Sequence, residues 1–127
     1  QIEPVVKVGN LDSLRTYADV RDAVRAYYMM LTDNPIKGEY YNIGGTYVCR
    51  IGDVLETLLG MSKTKNISIK QDPERFRPID ADLQIPDTSK FTKKSGWKPE
   101  ISFEQTMSDL LDYWRTRVAE GRQHLTR

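Results

Sequence analysis

The sequence predicts an α/β chain of the α+β kind, a single domain over residues 1–127 with helices laid on one small mixed sheet. Three observations carry that reading. Three segments repeat apolar residues at helical spacing, and between them lie four short runs rich in β-branched and aromatic residues. A composition of 39% hydrophobic and 29% charged residues over 127 positions is a globular balance with a modest core.

The elements follow in order. "PVVKV" (4–8) reads as the first strand. Val20, Ala23, Val24, Tyr27, Tyr28 and Leu31 then form one continuous helical face, with Asp19 as N-cap and with Asn34-Pro35 and Gly38 ending the helix. "EYYNI" (39–43) and "YVCR" (47–50) read as two strands joined by a hairpin turn at Gly44-Gly45. Ile51, Val54, Leu55, Leu58 and Leu59 mark a second helix that Gly60 closes, and "ISIK" (67–70) a fourth strand. A shorter helix is expected from Thr88 to Lys94, capped by Asp87 and ended by Gly96. The last helix carries Phe103, Met107, Leu110, Leu111, Trp114 and Val118 on one face, behind a Ser102/Gln105 capping box. Tyr27, Tyr28 and Trp114 are expected in the core.

Charge and residue inventory exclude several classes of function. Nineteen basic against 18 acidic side chains leave a net charge of +1, so no broad field recruits nucleic acid or a membrane surface, and any anion site must be local. No run approaches the roughly 20 apolar residues that span a bilayer. Cys49 is the only cysteine, which rules out an internal disulfide and fits a reducing, cytoplasmic setting. His124 is the only histidine and lies near the C-terminus, so neither a Cys/His metal site nor a Ser-His-Asp or Cys-His site is expected. No G-x-x-x-x-G-K-[ST] or G-x-G-x-x-G motif occurs. Asp80 and Asp82 are two apart but lack further carboxylates around them, and they read as solvated rather than metal-binding. No residue here is assigned a catalytic role.

What remains is two basic sites in irregular backbone. One is Arg15, within "VGNLDSLRTYADVRD"; the other is Arg75 or Arg77, within "RFRPIDAD", where Pro78 forbids helix. An arginine fork makes bidentate bonds to phosphate oxygens, and a nearby carboxylate accepts from ribose hydroxyls, so this set suits a nucleotide diphosphate. The residues alone leave a second reading open, in which each arginine pairs with a neighbouring Asp on a solvated surface.

The order of these segments resembles a known family. "VGNLDSLRTYADVRDAVRAYYMML" and "RPIDADLQIPDTSKFTKKSGWKPEISFEQTMSDLLDYWR" are similar to the two C-terminal segments of extended short-chain dehydrogenases/reductases acting on nucleotide sugars. There, R-P-x-[DE] precedes a D-x-x-K helix, G-W-x-P and a final amphipathic helix. The match is nearest to GDP-mannose 4,6-dehydratases and the GDP-4-keto-6-deoxymannose reductases beside them. The resemblance implies that Arg15 and Arg77 contact the diphosphate and that Asp80, where the dehydratases carry Glu, holds the ribose. Asn10 is assigned to shaping the first loop of the site, and Arg75 and Asp82 stay on the solvated side.

The family's G-x-x-G-x-x-G cofactor turn is missing from this sequence, and none of the seven tyrosines has Lys four residues later. The resemblance therefore implies the small C-terminal α/β substrate domain of a longer enzyme, without its Rossmann half. It implies NADP bound by that half, GDP-mannose as ligand, the N-terminal Rossmann domain as partner, and a homo-oligomer. The implied reaction oxidises C4 of the hexose transiently, eliminates water across C5–C6 and returns the hydride to C6. A reading of another class is a non-catalytic nucleotide-binding or oligomerisation module, with Trp97 and the Trp114 face as an exposed interface.

Overall fold

A computed structural model describes residues 3–77 and 82–121. Along the chain come β1 (Val5–Val8), β2 (Leu14–Tyr17), α1 (Val20–Thr32), β3 (Tyr47–Arg50), α2 (Ile51–Gly60), β4 (Ser68–Gln71), a 3-10 turn (Pro73–Arg75), β5 (Leu83–Gln84), α3 (Ser89–Ser95) and α4 (Phe103–Ala119). The strands form two sheets instead of one. β1 pairs parallel with β4, Val5 opposite Ser68 through Val8 opposite Gln71. β2 is the middle strand of the other sheet, antiparallel to β3 and parallel to β5.

Local signals explain most boundaries. The Asp19 carboxylate accepts from the Arg21 N–H and caps α1, and Ser102 accepts from the Gln105 N–H to cap α4. The Gln105 side chain does not return to Ser102 but donates forward to Asp109 at 2.7 Å. Gly96 ends α3 in the left-handed region at φ 72°, where a β-carbon would be strained. Gly60, by contrast, is the last helical residue of α2, and Met61 caps it.

Two small cores result. Ala26, Phe91 and Trp97 form one, with Met29, Met30, Tyr41 and Ile43 packed around it. Cys49, Phe103 and Met107 form the other, between α2, α4 and the β2–β3 pair, with Tyr17, Val54, Leu58 and Met61 against it. Tyr47 stacks on Phe103 with ring centroids 4.4 Å apart. Trp97 is 1% exposed and its indole N–H donates to the Asp22 carbonyl at 3.2 Å, so the Gly96-Trp97 step is core, not interface. Trp114 is half-buried.

Beyond the split sheet, the open capping box and the helical Gly60, the structure departs from the sequence expectations in four further places. The α1 face expected to be core points outward: exposure runs from 58% at Val24 to 77% at Leu31, and Tyr27 and Tyr28 share it. Asp22, Ala26, Met29 and Met30 face inward instead. Residues 39–43 form no strand, because no neighbouring strand pairs with them among the described residues. Gly44-Gly45 makes no hairpin. A β-carbon on Gly45 would lie 1.6 Å from the Tyr17 carbonyl oxygen, so glycine is needed there for close backbone approach. Finally, Arg15 lies in a strand, β2, not in irregular backbone. No helix among the described residues is long and apolar enough to cross a membrane.

Candidate functional site

Arg15 is fixed by the strands on either side of it and by the loop before it. It stands opposite Cys49 of β3 and Gln84 of β5, and the adjacent Leu14 N–H donates to the Asp82 carbonyl at 2.8 Å. In the preceding loop, Asn10 Oδ1 accepts from the Asp12 N–H at 2.9 Å, while Asn10 Nδ2 donates to the buried Ser13 hydroxyl at 3.0 Å. The first amides of a helix have no partner within it. Here the Ile51 and Gly52 N–H groups of α2 donate to the Ser13 and Leu11 carbonyls at 3.2 and 2.9 Å. The loop is thereby held against α2, and β2 follows from it. One guanidinium N–H of Arg15 donates to the Leu14 carbonyl at 3.0 Å.

Arg75 and Arg77 arrive from the other side. Asp72 caps the 3-10 turn through the Glu74 N–H, and Pro73 supplies a fixed φ at its first position. The turn is pressed against the end of β1, where a β-carbon on Gly9 would lie 2.6 Å from the Arg75 carbonyl oxygen. Only glycine permits that approach without displacement.

These elements enclose a cavity of about 280 Å³ lined by Gly9, Asn10, Arg15, Ile51, Arg75 and Arg77. Three arginines thus line one cavity where, among the described residues, no carboxylate lines the wall. Arg75 is shared with Asp72 across 3.7 Å, a long and solvent-exposed pair of small energetic weight. Arg77 is exposed and forms no hydrogen bond or ion pair among the described residues. A set of arginine side chains is suited chemically to an anion with several oxygens, since a guanidinium fork can offer two parallel donors.

Placement of the expected residues is therefore as follows. Asn10, Arg15 and Arg77 come together in one cavity, and Asp80, with Pro78, lies outside the described residues. Arg75, read from sequence as solvated, lines the same cavity. A signal for it was present in "QDPER": Asp-Pro at the start of a helical turn places the arginine two residues on beside the turn's own cap. The role of Gly9 was not legible, because it depends on the approach of residues more than sixty positions away.

The ground around the cavity differs in character. An apolar groove of about 260 Å³ formed by Val8, Leu11, Val54, Leu55 and Leu58 shares Gly9, Asn10 and Ile51 with it. On the far side of Arg15, a cavity of about 470 Å³ runs along Thr16 and Leu83 to Pro86. β3 runs directly into α2, and β1 leads through Gly9 into a loop, so neither is a glycine turn that opens a helix onto a dinucleotide.

The perturbed carboxylates belong to packing. The Arg21 side chain holds Asp19 well below the usual carboxylate range, against the opposing effect of burial, and Thr106 donates to the same carboxylate at 2.9 Å. Burial works against the charge of Asp22, but Arg25 and the Ile101 and Glu100 N–H groups outweigh it and keep its pKa below normal. Asp19 ties the start of α1 to α4 itself, and Asp22 ties α1 to the segment leading into α4.

The family model described as GDP-mannose 4,6 dehydratase matches residues 1–110. The GDP-6-deoxy-D-mannose reductase of Pseudomonas aeruginosa is 30% identical over 115 residues, covering 91% of this chain and 37% of its own length. The GDP-mannose 4,6-dehydratase of Yersinia enterocolitica is 26% identical over 136 residues, covering 87% of this chain and 37% of its own. The solved structure of RMD from Pseudomonas aeruginosa complexed with NADPH superposes with a TM-score of 0.79 at 26% identity. That match covers 90% of this chain and 37% of the solved one. The chain thus spans little more than a third of the length of these relatives.

Proposed function

The chain belongs to the GDP-mannose 4,6 dehydratase family, and from that premise we propose that it grips the nucleotide diphosphate of a sugar nucleotide within an NADP-dependent GDP-mannose 4,6-dehydratase. The observation that carries the proposal is the convergence of Arg15, Arg75 and Arg77 on one cavity of a chain whose net charge is only +1. A positive site of that density in a nearly neutral protein is a local device for an anion, not part of a general field.

The ligand is a diphosphate with a flat, partly apolar group beside it, because the arginine cavity and the apolar groove share Gly9, Asn10 and Ile51. The arginine forks bind the phosphate oxygens, Asn10 keeps the loop in shape, and Asp80 accepts from the ribose. Anchoring the substrate at the diphosphate, away from the reacting hexose, converts binding energy into orientation of the sugar. The cofactor NADP supplies hydride acceptance and return, and it belongs to a further part of a longer polypeptide. GDP-4-dehydro-6-deoxymannose is the product on this reading.

A second reading, GDP-4-keto-6-deoxymannose reductase, is favoured by the 30% identity to the Pseudomonas reductase. The test uses the full-length gene product. GDP-mannose with NADP giving a 4-keto product supports the dehydratase, whereas consumption of NADPH with the 4-keto sugar and inertness toward GDP-mannose supports the reductase. Under either reading Arg77→Ala raises KM for the sugar nucleotide by on the order of tenfold or more, the worth of a charged hydrogen bond, and leaves cofactor affinity unchanged. A wild-type KM removes Arg77 from the site.

A further inference from the structure

On the proposed reading the diphosphate is carried through the reaction unchanged, so its anchor holds substrate and product alike. Binding energy applied equally to both lowers KM and slows release without speeding the chemistry. An anchor of this kind turns over fastest at moderate strength, and the structure places a carboxylate directly behind one of the three arginines. Asp72 follows β4 and begins the 3-10 turn. Its backbone is clasped on both sides: the N–H donates to the Val8 carbonyl at 2.8 Å, and the carbonyl accepts from the Arg75 N–H at 3.0 Å. The two side-chain oxygens have separate partners. Oδ1 accepts from the Glu74 N–H at 3.2 Å and so caps the turn. Oδ2 faces charge instead, 3.7 Å from Nε of Arg75 and 4.0 Å from Nζ of Lys7. The Asp72 side chain is only 20% exposed, whereas those of Arg75 and Lys7 are 55% and 60% exposed.

We propose that Asp72 sets the affinity of the site: its carboxylate draws on the charge of Arg75 and keeps the diphosphate from being held as tightly as Arg75 would hold it without that neighbour. Asp72 does not line the cavity and acts on the ligand through Arg75, as a positioning residue. The inference rests on the proposed function in taking Arg75 to face a diphosphate. Capping and charge are separable at this position. The cap needs an oxygen acceptor at the start of the turn, which Asn and Ser supply as Asp does. The two backbone bonds of Asp72 do not use its side chain at all. A purely structural role therefore predicts that a neutral capping residue leaves anion binding unchanged or weakens it. The tuning role predicts the opposite sign. Geometry sets the size, because a pair 3.7 Å apart whose arginine is more than half exposed is a surface ion pair. Removing such a partner shifts affinity by about 1.5- to 5-fold.

Titration of the full-length gene product with GDP, and with guanosine as control, tests it. Asp72→Asn and Asp72→Ser are both expected to tighten GDP by about 1.5- to 5-fold and to leave guanosine unchanged. The gain is expected to shrink at high salt, where exposed charges are screened, and to appear in stopped flow as slower release of GDP. In an Arg75→Gln background the same substitutions are expected to change nothing, since the arginine through which Asp72 acts is gone. Two neutral caps are used so that a fold defect in one, seen as a lowered thermal melt, leaves the other to decide. Weaker or unchanged GDP binding in a variant that melts as wild type overturns the inference. So does tightening that persists undiminished with Arg75→Gln. A GDP affinity that needs Arg77 but ignores Asp72→Asn refutes this inference and not the site. One indifferent to both Arg77→Ala and Asp72→Asn refutes the two together.

Discussion

Replacing Asp22 by Asn leaves shape almost unchanged and removes one charge from the centre of the fold. One carboxylate oxygen accepts from the Glu100 and Ile101 N–H groups, both at 3.0 Å, and the other from the Arg25 guanidinium at 2.8 Å. An asparagine satisfies the two peptide groups with its carbonyl only by turning its NH2 toward Arg25, donor against donor. The loss is one charge-assisted bond, about 1.5–3 kcal/mol, plus weakening of two others from charged to neutral. Arg25 retains the Lys98 carbonyl at 2.6 Å and Glu100 at 3.3 Å, which limits the penalty. The total is about 3 kcal/mol, within the usual span for breaking a buried pair. For a chain of this size that lowers Tm by about 10 °C, read by circular dichroism and by the fluorescence of Trp97, whose indole bonds the Asp22 carbonyl. The pH dependence has a definite sign. The folded pKa of Asp22 lies below the ordinary 3.8. Its stabilisation is therefore complete above about pH 5 and disappears as pH falls through the folded value. Wild type and variant should diverge at neutral pH and converge in acid. A Tm within 2 °C of wild type at pH 7, or a gap that does not shrink in acid, refutes the reasoning.

Other substitutions probe the backbone and the thiol. Gly45→Ala puts a methyl 1.6 Å from the Tyr17 carbonyl oxygen and should cost about 3 kcal/mol or more, measured as loss of cooperative melting. Gly60→Ala, at a helical position with nothing within 4 Å of the new atom, should stabilise by about 0.5–1 kcal/mol in the same assay. Cys49 is buried, and burial together with the charge of Asp53 pushes its thiol pKa up. Iodoacetamide should therefore leave it unmodified in the folded chain at pH 8 and label it in denaturant, as mass spectrometry will show.

Much of the fold was legible wherever the signal is local. Asp19 and Ser102 as caps, Gly96 as a left-handed stop and "YVCR" as a strand all rest on chemistry within a few residues. What failed depends on partners distant in sequence. "LRTY" lacks alternation and every residue of β2 is half-buried, with Leu14 and Arg15 held between β3 and β5, so Arg15 looked like loop. "EYYNI" has strand character but no neighbour among the described residues, and the most regular apolar stripe of α1 turns away from the core for the same lack of a partner. The candidate site divides in the same way. Arginine chemistry marked Arg15 and left Arg75 or Arg77 open, and the resemblance chose Arg77, whereas the placing of Arg75 at the same cavity depends on how Gly9 lets the 3-10 turn close on β1.

The central claim, that three arginines form a diphosphate site, is tested most directly by isothermal titration of the folded chain with GDP, GMP and guanosine at two salt concentrations. The account predicts that GDP binds most tightly, that guanosine binds weakest, and that affinity falls with added salt. Arg77→Ala should weaken GDP by roughly 10- to 100-fold, from the loss of about 1.5–3 kcal/mol, and leave guanosine unaffected. Equal affinity for guanosine and GDP, or an Arg77→Ala chain that binds GDP as wild type does, contradicts it.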